Sequence, residues 1–362
     1  MGTHEDLTNE ANEARNHYER KGTSRRDIVK RVGLGVLAAP LVSSVLAACS
    51  SGEDAKAVSG SLAADGKNLR LLGTNGGLAA TWYAEGKKTL EKWAQLYGIK
   101  LDWVDGELNS KVQRDKLDNA VQAKYDIAAI IANETGTIVQ PVQKLISSGT
   151  VVIPMVNQVA PPGETIGALT FVEQSSYDMG FRVATALFEA AKGQGTVIET
   201  QGPAAFTGAQ ERHRGFQDAL KNYPGMKLLA TDFGNWDVNR AQSLWESYIN
   251  KYPEITVGYF HNDDMAFAGL QALKSAGRDG KTLIGGADAM PEAVKAVGDG
   301  RFLATARHSS CRIHMYPLVI GMAKKMGAVS TVPQKIVVDG PVVTKENAES
   351  LVFLQDDAIL LS

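Results

Sequence analysis

Cysteine is almost missing from this chain. Only Cys49 and Cys311 occur in 362 residues, and no Cys-x-x-Cys pair or His-rich spacing offers a metal site. Charge of one sign is missing too. The 38 basic and 40 acidic residues leave a net charge of −2, with no basic stripe interleaved with aromatics, so the footprint of a nucleic-acid binder is absent. Catalytic signatures are equally scarce. Gly86-Lys87-Lys88-Thr89 lacks the earlier glycine and the adjacent hydroxyl of a phosphate-binding loop. There is no Gly-x-Ser-x-Gly elbow and no His-Glu-x-x-His helix. The Gly-rich stretch 73–77 has the wrong spacing for a dinucleotide fingerprint. Nothing asks for a nucleophile and its base, so the expectation is a protein that is not an enzyme and carries no cofactor.

Long hydrophobic runs are also lacking. The apolar stretch from Val32 to Ala48 is too short and too rich in Gly, Ala and Ser for a membrane span. It follows Ser24-Arg25-Arg26-Asp27-Ile28-Val29-Lys30, a twin-arginine export pattern in which Asp27-Ile28 departs from the usual residues after the arginines. It ends in Leu46-Ala47-Ala48-Cys49, a lipobox. Residues 1–48 therefore read as a signal peptide and Cys49 as a lipidated first residue. The alternatives are a soluble secreted protein with an incidental cysteine, or a retained anchor. Residues 49–67, small, polar and aperiodic, read as a flexible tether. With Cys49 lipidated, Cys311 has no disulfide partner and reads as a core thiol.

What the chain does have is alternation. Its 44% hydrophobic and 22% charged residues are an ordinary soluble balance, and its length is enough for two domains. Short apolar runs begin near Leu69, Lys100, Asp126, Val151, Thr196, Lys227, Thr256, Thr282 and Leu303. Helical spacing fills most gaps between them, as from Trp82 to Tyr97, which Gly98 stops. Two such runs predict an α/β protein of two doubly wound parallel-sheet lobes, with a boundary near Val172. Three successive apolar runs end in a hydrogen-bonding side chain: Asn262, Asp288 and His308. Ligands bind at the carboxyl ends of parallel strands, so these residues predict one wall of a polar site. Gly285-Gly286-Ala287 reads as a run of small residues that lets a ligand come close to Asp288. Each residue also has a plainer role open to it: Asp288 and Asn262 as helix caps, His308 as a structural histidine.

The stretch Asn262-Asp263-Asp264-Met265-Ala266, the later Gly286-Ala287-Asp288 and the closing Val343-Thr344-Lys345-Glu346-Asn347 resemble the periplasmic sugar-binding proteins of ABC importers, ribose-binding type. The likeness extends, more weakly, from about Leu69 to about Ala348. It implies a multi-strand hinge crossed near 171–174, 308–311 and 339–342, with lobe 1 at 68–171 plus 309–340 and lobe 2 at 172–308 plus 341–362. It implies a monosaccharide or sugar-like polyol bound between the lobes, an ABC permease as partner, and a monomer lipid-anchored outside the cell membrane. A receptor presenting the same ligand to a chemotaxis or sensor-kinase partner is the alternative. The resemblance selects Arg212, in Glu211-Arg212-His213-Arg214-Gly215-Phe216, as the ligand arginine and Trp236 as a stacking ring, with Phe206 as a second. His308 stands where the ribose-binding type has glutamine, which puts ribose itself in doubt. In the first lobe the match is looser: Asn75, Trp82 and Tyr83 follow the first strand, Asn157-Gln158 suggests a ligand without positive charge, and Asn133 and Glu134 are further candidates. Arg212 has the ordinary alternative of a solvated helix charge; Trp82, Phe206 and Trp236 have that of core aromatics.

Overall fold

The computed structural model describes residues 68–161, 163–338 and 340–351; the export motif, Cys49 and the tether lie outside them. The order of elements is β1 (Arg70–Asn75), α1 (Thr81–Tyr97), β2 (Lys100–Asp105), α2 (Ser110–Ala120), β3 (Ile127–Ile130), α3 (Val139–Ser147), β4 (Val151–Pro154), β5 (Phe171–Glu173), α4 (Ser176–Ala190), β6 (Gly195–Gln201), α5 (Thr207–Lys221), β7 (Met226–Phe233), α6 (Val238–Lys251), β8 (Val257–Phe260), α7 (Asp263–Ser275), β9 (Leu283–Asp288), α8 (Pro291–Gly298), β10 (Ala304–Arg307), α9 (Ser310–Lys325), β11 (Lys335–Val337) and β12 (Val342–Val343).

The molecule is α/β with parallel sheets in two lobes. One sheet has the order β2-β1-β3-β4 and the other β12-β10-β9-β8-β6-β7. Every pairing is parallel except β10 with β12. Strand alternation places the core on both faces. In the first sheet Leu71, Ile127, Ala129 and Ile153 face the cluster containing Leu90 and Trp93 of α1 and Ile313 and Val319 of α9. Their neighbours Leu72, Ala128, Ile130 and Val152 face Leu117 of α2 and Val142 and Leu145 of α3. The second sheet is covered by α4 and α5 on one side and by α6, α7 and α8 on the other.

The chain leaves the first sheet after β4, returns with α9 after β10, and leaves again to form β12. β5 and β11 pair in a short ribbon, joined to the first sheet by the bridge Met155–Val172. These three short strands carry no alternating signal in the sequence, because two or three residues are too few to show a period. Gly98 ends α1 in the left-handed conformation, φ 69°, as its position after Tyr97 predicts.

Candidate functional site

β8, β9 and β10 lie side by side and end on the same edge, with Arg307 opposite Asp288 in register. The residues at or just past their ends, Asn262, Asp288 and His308, line one cavity with about 330 Å3 of empty space. The second lobe also contributes Phe206, Arg212 and Trp236, and the first lobe contributes Ala80, Trp82, Tyr83 and Val156. Eight of the sequence candidates, Trp82, Tyr83, Phe206, Arg212, Trp236, Asn262, Asp288 and His308, are thereby brought together from both lobes.

Arg212 sits at the centre. Its Nη1 donates to the His261 carbonyl. Its Nη2 lies 3.2 Å from His308 Nδ1 and 3.9 Å from Asp288 Oδ1. The guanidinium also stands 5.5 Å from the Trp236 ring centre. Since arginine only donates, His308 Nδ1 accepts, and the imidazole proton resides on Nε2. Burial and the Arg212 charge hold His308 well below its ordinary pKa, so the ring is neutral. Burial pushes the Asp288 carboxyl well above the usual range, against the pull of Arg212. The ring of Trp82 stacks on His308 at 4.4 Å, and its Nε1 donates to the His308 carbonyl at 2.6 Å. Phe206 meets Trp236 edge-on at 5.6 Å. Asn262 Oδ1 caps α7 by accepting from Met265 N at 3.0 Å, while its amide nitrogen remains a donor for a ligand.

Three buried polar atoms of the lining have no partner among the described residues: Arg212 Nε, Trp236 Nε1 and His308 Nε2. All three are donors, and Asp288 adds a carboxyl group to the same lining. The backbone around them is strained. Val156 (φ 61°), Trp236 (φ 61°) and Asp288 (φ 113°) occupy conformations that L-residues avoid, the kind of cost that persists where surrounding structure enforces it.

Beneath the lining lies a polar layer. Glu199, fully buried, is 2.9 Å from His261 Nε2 and 2.8 Å from His213 Nδ1, and Thr231 Oγ1 donates to it at 2.8 Å. His261 Nδ1 accepts from Gly202 N at 3.3 Å, so Nε2 carries the proton given to Glu199. This layer holds in place the carbonyl to which Arg212 is anchored.

Four candidates, Asn75, Asn157, Asn133 and Glu134, lie outside the cavity lining. Asn75 is buried and donates to the Tyr83 carbonyl at 2.9 Å, holding the start of α1. Asn157 is saturated: Nδ2 donates to the Ala132 carbonyl at 2.8 Å, and Oδ1 accepts from Thr135 Oγ1, Thr207 N and Thr207 Oγ1. The left-handed turn at Val156 presents that residue to the cavity and turns Asn157 away. Asn133 and Glu134 are not lining residues; the Asn133 oxygen, in its satisfied orientation, caps α2 through Asn109 N and Ser110 N. The glycines before Asp288 are not ligand clearance. A Cβ on Gly286 would stand 2.4 Å from Asp263 Oδ1 and one on Gly285 2.7 Å from Leu187, so both serve packing inside the lobe. Among lining residues, sequence reasoning missed Ala80 and Val156, and apolar side chains carry no signal for a polar site. Among the described residues no cluster of His, Cys, Asp and Glu is placed to hold a metal ion.

A family described as a periplasmic binding protein domain matches residues 74–309. A xylitol-binding protein of Mycolicibacterium smegmatis is 25% identical over 89% of this chain and 88% of its own length. A D-ribose/D-allose-binding protein of Pseudomonas aeruginosa is 24% identical over 71% of this chain and 82% of its own. The crystal structure of a galactofuranose binding protein has the same fold, with a TM-score of 0.74 at 21% identity, covering 80% of this chain and 99% of that one.

Proposed function

Because the chain belongs to the periplasmic binding protein domain family, we propose that it is the extracytoplasmic sugar-binding component of an ABC transporter. It holds a monosaccharide or sugar-like polyol between its lobes and hands it to the permease. The observation that carries this reading is that three buried donors without a partner among the described residues, Arg212 Nε, Trp236 Nε1 and His308 Nε2, belong to side chains that line one cavity together with the Asp288 carboxyl group. A hydroxyl both donates and accepts, so a neutral polyhydroxylated ligand satisfies both kinds of group at once. The names of the two relatives, xylitol-binding and D-ribose/D-allose-binding, support the same ligand class.

The ligand-contacting residues are Trp82, Tyr83, Phe206, Arg212, Trp236, Asn262, Asp288 and His308. Lobe 1 is 68–171 plus 309–340 and lobe 2 is 172–308 plus 341–362; α9 packing on β3 and β4, and β12 pairing with β10, support that division. The twin-arginine motif and the lipobox support export and a lipid anchor at Cys49, and the protein works as a monomer. Calorimetric and tryptophan-fluorescence titration against xylitol, D-ribose, D-allose and other monosaccharides tests the ligand class. A dissociation constant of about 1 µM or tighter, roughly −8 kcal/mol, is expected for at least one. A panel giving neither heat nor a fluorescence change overturns it.

A further inference from the structure

Two helices open onto the cavity, and neither starts with a capping side chain of its own. The residue before α1 is Ala80 and the residue before α5 is Phe206, and both line the cavity. By contrast α2, α4, α6, α7 and α9 begin with Asn109, Ser175, Asp237, Asn262 and Ser309, each accepting from its own first turn. For α1 and α5 the acceptor comes from across the cleft. Thr81 N and Oγ1 donate to Asp264 Oδ2 and Oδ1 at 2.9 and 2.8 Å. Thr207 N and Oγ1 both donate to Asn157 Oδ1, at 2.9 and 2.8 Å.

The arrangement is reciprocal. Asp264 belongs to α7, packed on β8 and β9, and caps a helix packed on β1 and β2. Asn157 follows β4 and caps a helix packed on α4. We infer that Asn157 and Asp264 are positioning residues that set ligand affinity without touching the ligand, because each caps a helix of the opposite lobe only when the cleft is closed. The inference rests on the proposed site lying between the lobes.

The surroundings of both residues fit that role. The Asn157 amide nitrogen is tied to the Ala132 carbonyl and its oxygen also accepts from Thr135 Oγ1 of the same lobe, which together fix the oxygen that Thr207 meets. The left-handed Val156 directs it there. Asp264 sits in the first turn of α7, so on closure one carboxylate faces the positive ends of two helices. Hinge opening separates both pairs, of which Thr207 with Asn157 is half-buried and Thr81 with Asp264 is exposed. Each cap then favours the closed state by roughly the worth of an ordinary helix cap, about a fivefold change in the closed-to-open ratio. Apparent affinity scales with the population of the competent state. Removing one cap therefore weakens every ligand by the same factor.

The test uses the full chain with Asn157→Ala, Asp264→Ala and the double substitution, and Asp264→Asn as the variant that keeps an acceptor for Thr81. Single-molecule energy transfer between labels on the two lobes reads the closed fraction, with and without xylitol, D-ribose and D-allose. The closed-to-open ratio is expected to fall roughly fivefold per cap and multiplicatively in the double variant. Affinity is expected to fall by the same factor for each sugar that binds, with Asp264→Asn falling less than Asp264→Ala. Selectivity that changes among the sugars overturns the inference, because it means direct contact. An unchanged closed fraction in all variants, with and without sugar, overturns it as well. A panel with no binder overturns the proposed ligand class instead, and the closed fraction of the sugar-free protein still decides the caps.

Discussion

Arg212 makes more of the site than any other side chain. It orients His308, stacks on Trp236, faces Asp288 and keeps one nitrogen without a protein partner. Arg212→Lys keeps the charge but loses the planar fork. It is expected to weaken ligand binding by roughly 10- to 150-fold, the worth of one charge-assisted hydrogen bond, measured by titration at unchanged fold. His314 gives a separate residue-scale outcome. It is fully buried between α1 and α9, and burial lowers its pKa from 6.5 to about 4. A lowered folded-state pKa means stability that is complete above pH 6.5 and is lost as pH falls through about 4. Wild type is expected to lose about 3 kcal/mol more than His314→Gln over that interval, measured by denaturant unfolding at each pH. Asn157 shows where residue type stops informing: an asparagine at a strand end looks the same in sequence whether it meets a ligand or a helix.

At the scale of elements, the close crossing of α4 and α5 places Arg212. A Cβ on Gly180 would lie 2.1 Å from the Arg212 carbonyl, and one on Gly215 2.1 Å from the Tyr177 carbonyl. Backbone cannot yield there as a side-chain tip would. Gly180→Ala is expected to cost about 1–3 kcal/mol of stability as an overpacked contact, and to weaken ligand binding by moving α5 away from the cavity; denaturation and titration of the same variant check both. The long helices were legible because α1, α2, α5, α6 and α7 each bury one face and expose the other, and because Gly98 and Asn262 are end signals with a chemical reason. The strands β5, β11 and β12 were not, since their existence depends on partners distant in the chain: β5 pairs with β11 and β12 with β10.

Across the whole molecule, the candidate cavity forms where the lobes meet, with Trp82, Tyr83 and Val156 on one side and Arg212, Asp288 and His308 on the other. A ligand that bridges them stabilises the closed fold over both the open and the unfolded chain. At a hundredfold excess over its dissociation constant, a bound sugar is expected to add about 2.7 kcal/mol to unfolding stability, read as a concentration-dependent rise in thermal midpoint. Absence of any rise at saturating sugar would contradict binding to the folded state.

Apolar periodicity by itself determined the α/β class, the two lobes and the strand ends at Asn262, Asp288 and His308, because those follow from interactions within a few residues along the chain. Only the tertiary structure decided that Asn75 and Asn157 hold the protein together, that the glycines before Asp288 make room for Asp263 and Leu187, and that Val156 reaches the cavity. The reason is geometric. A hydrogen bond needs direction as well as a donor and an acceptor. Direction at these positions is set by a left-handed torsion at Val156 and by partners as remote as Thr207 from Asn157, which no local pattern encodes.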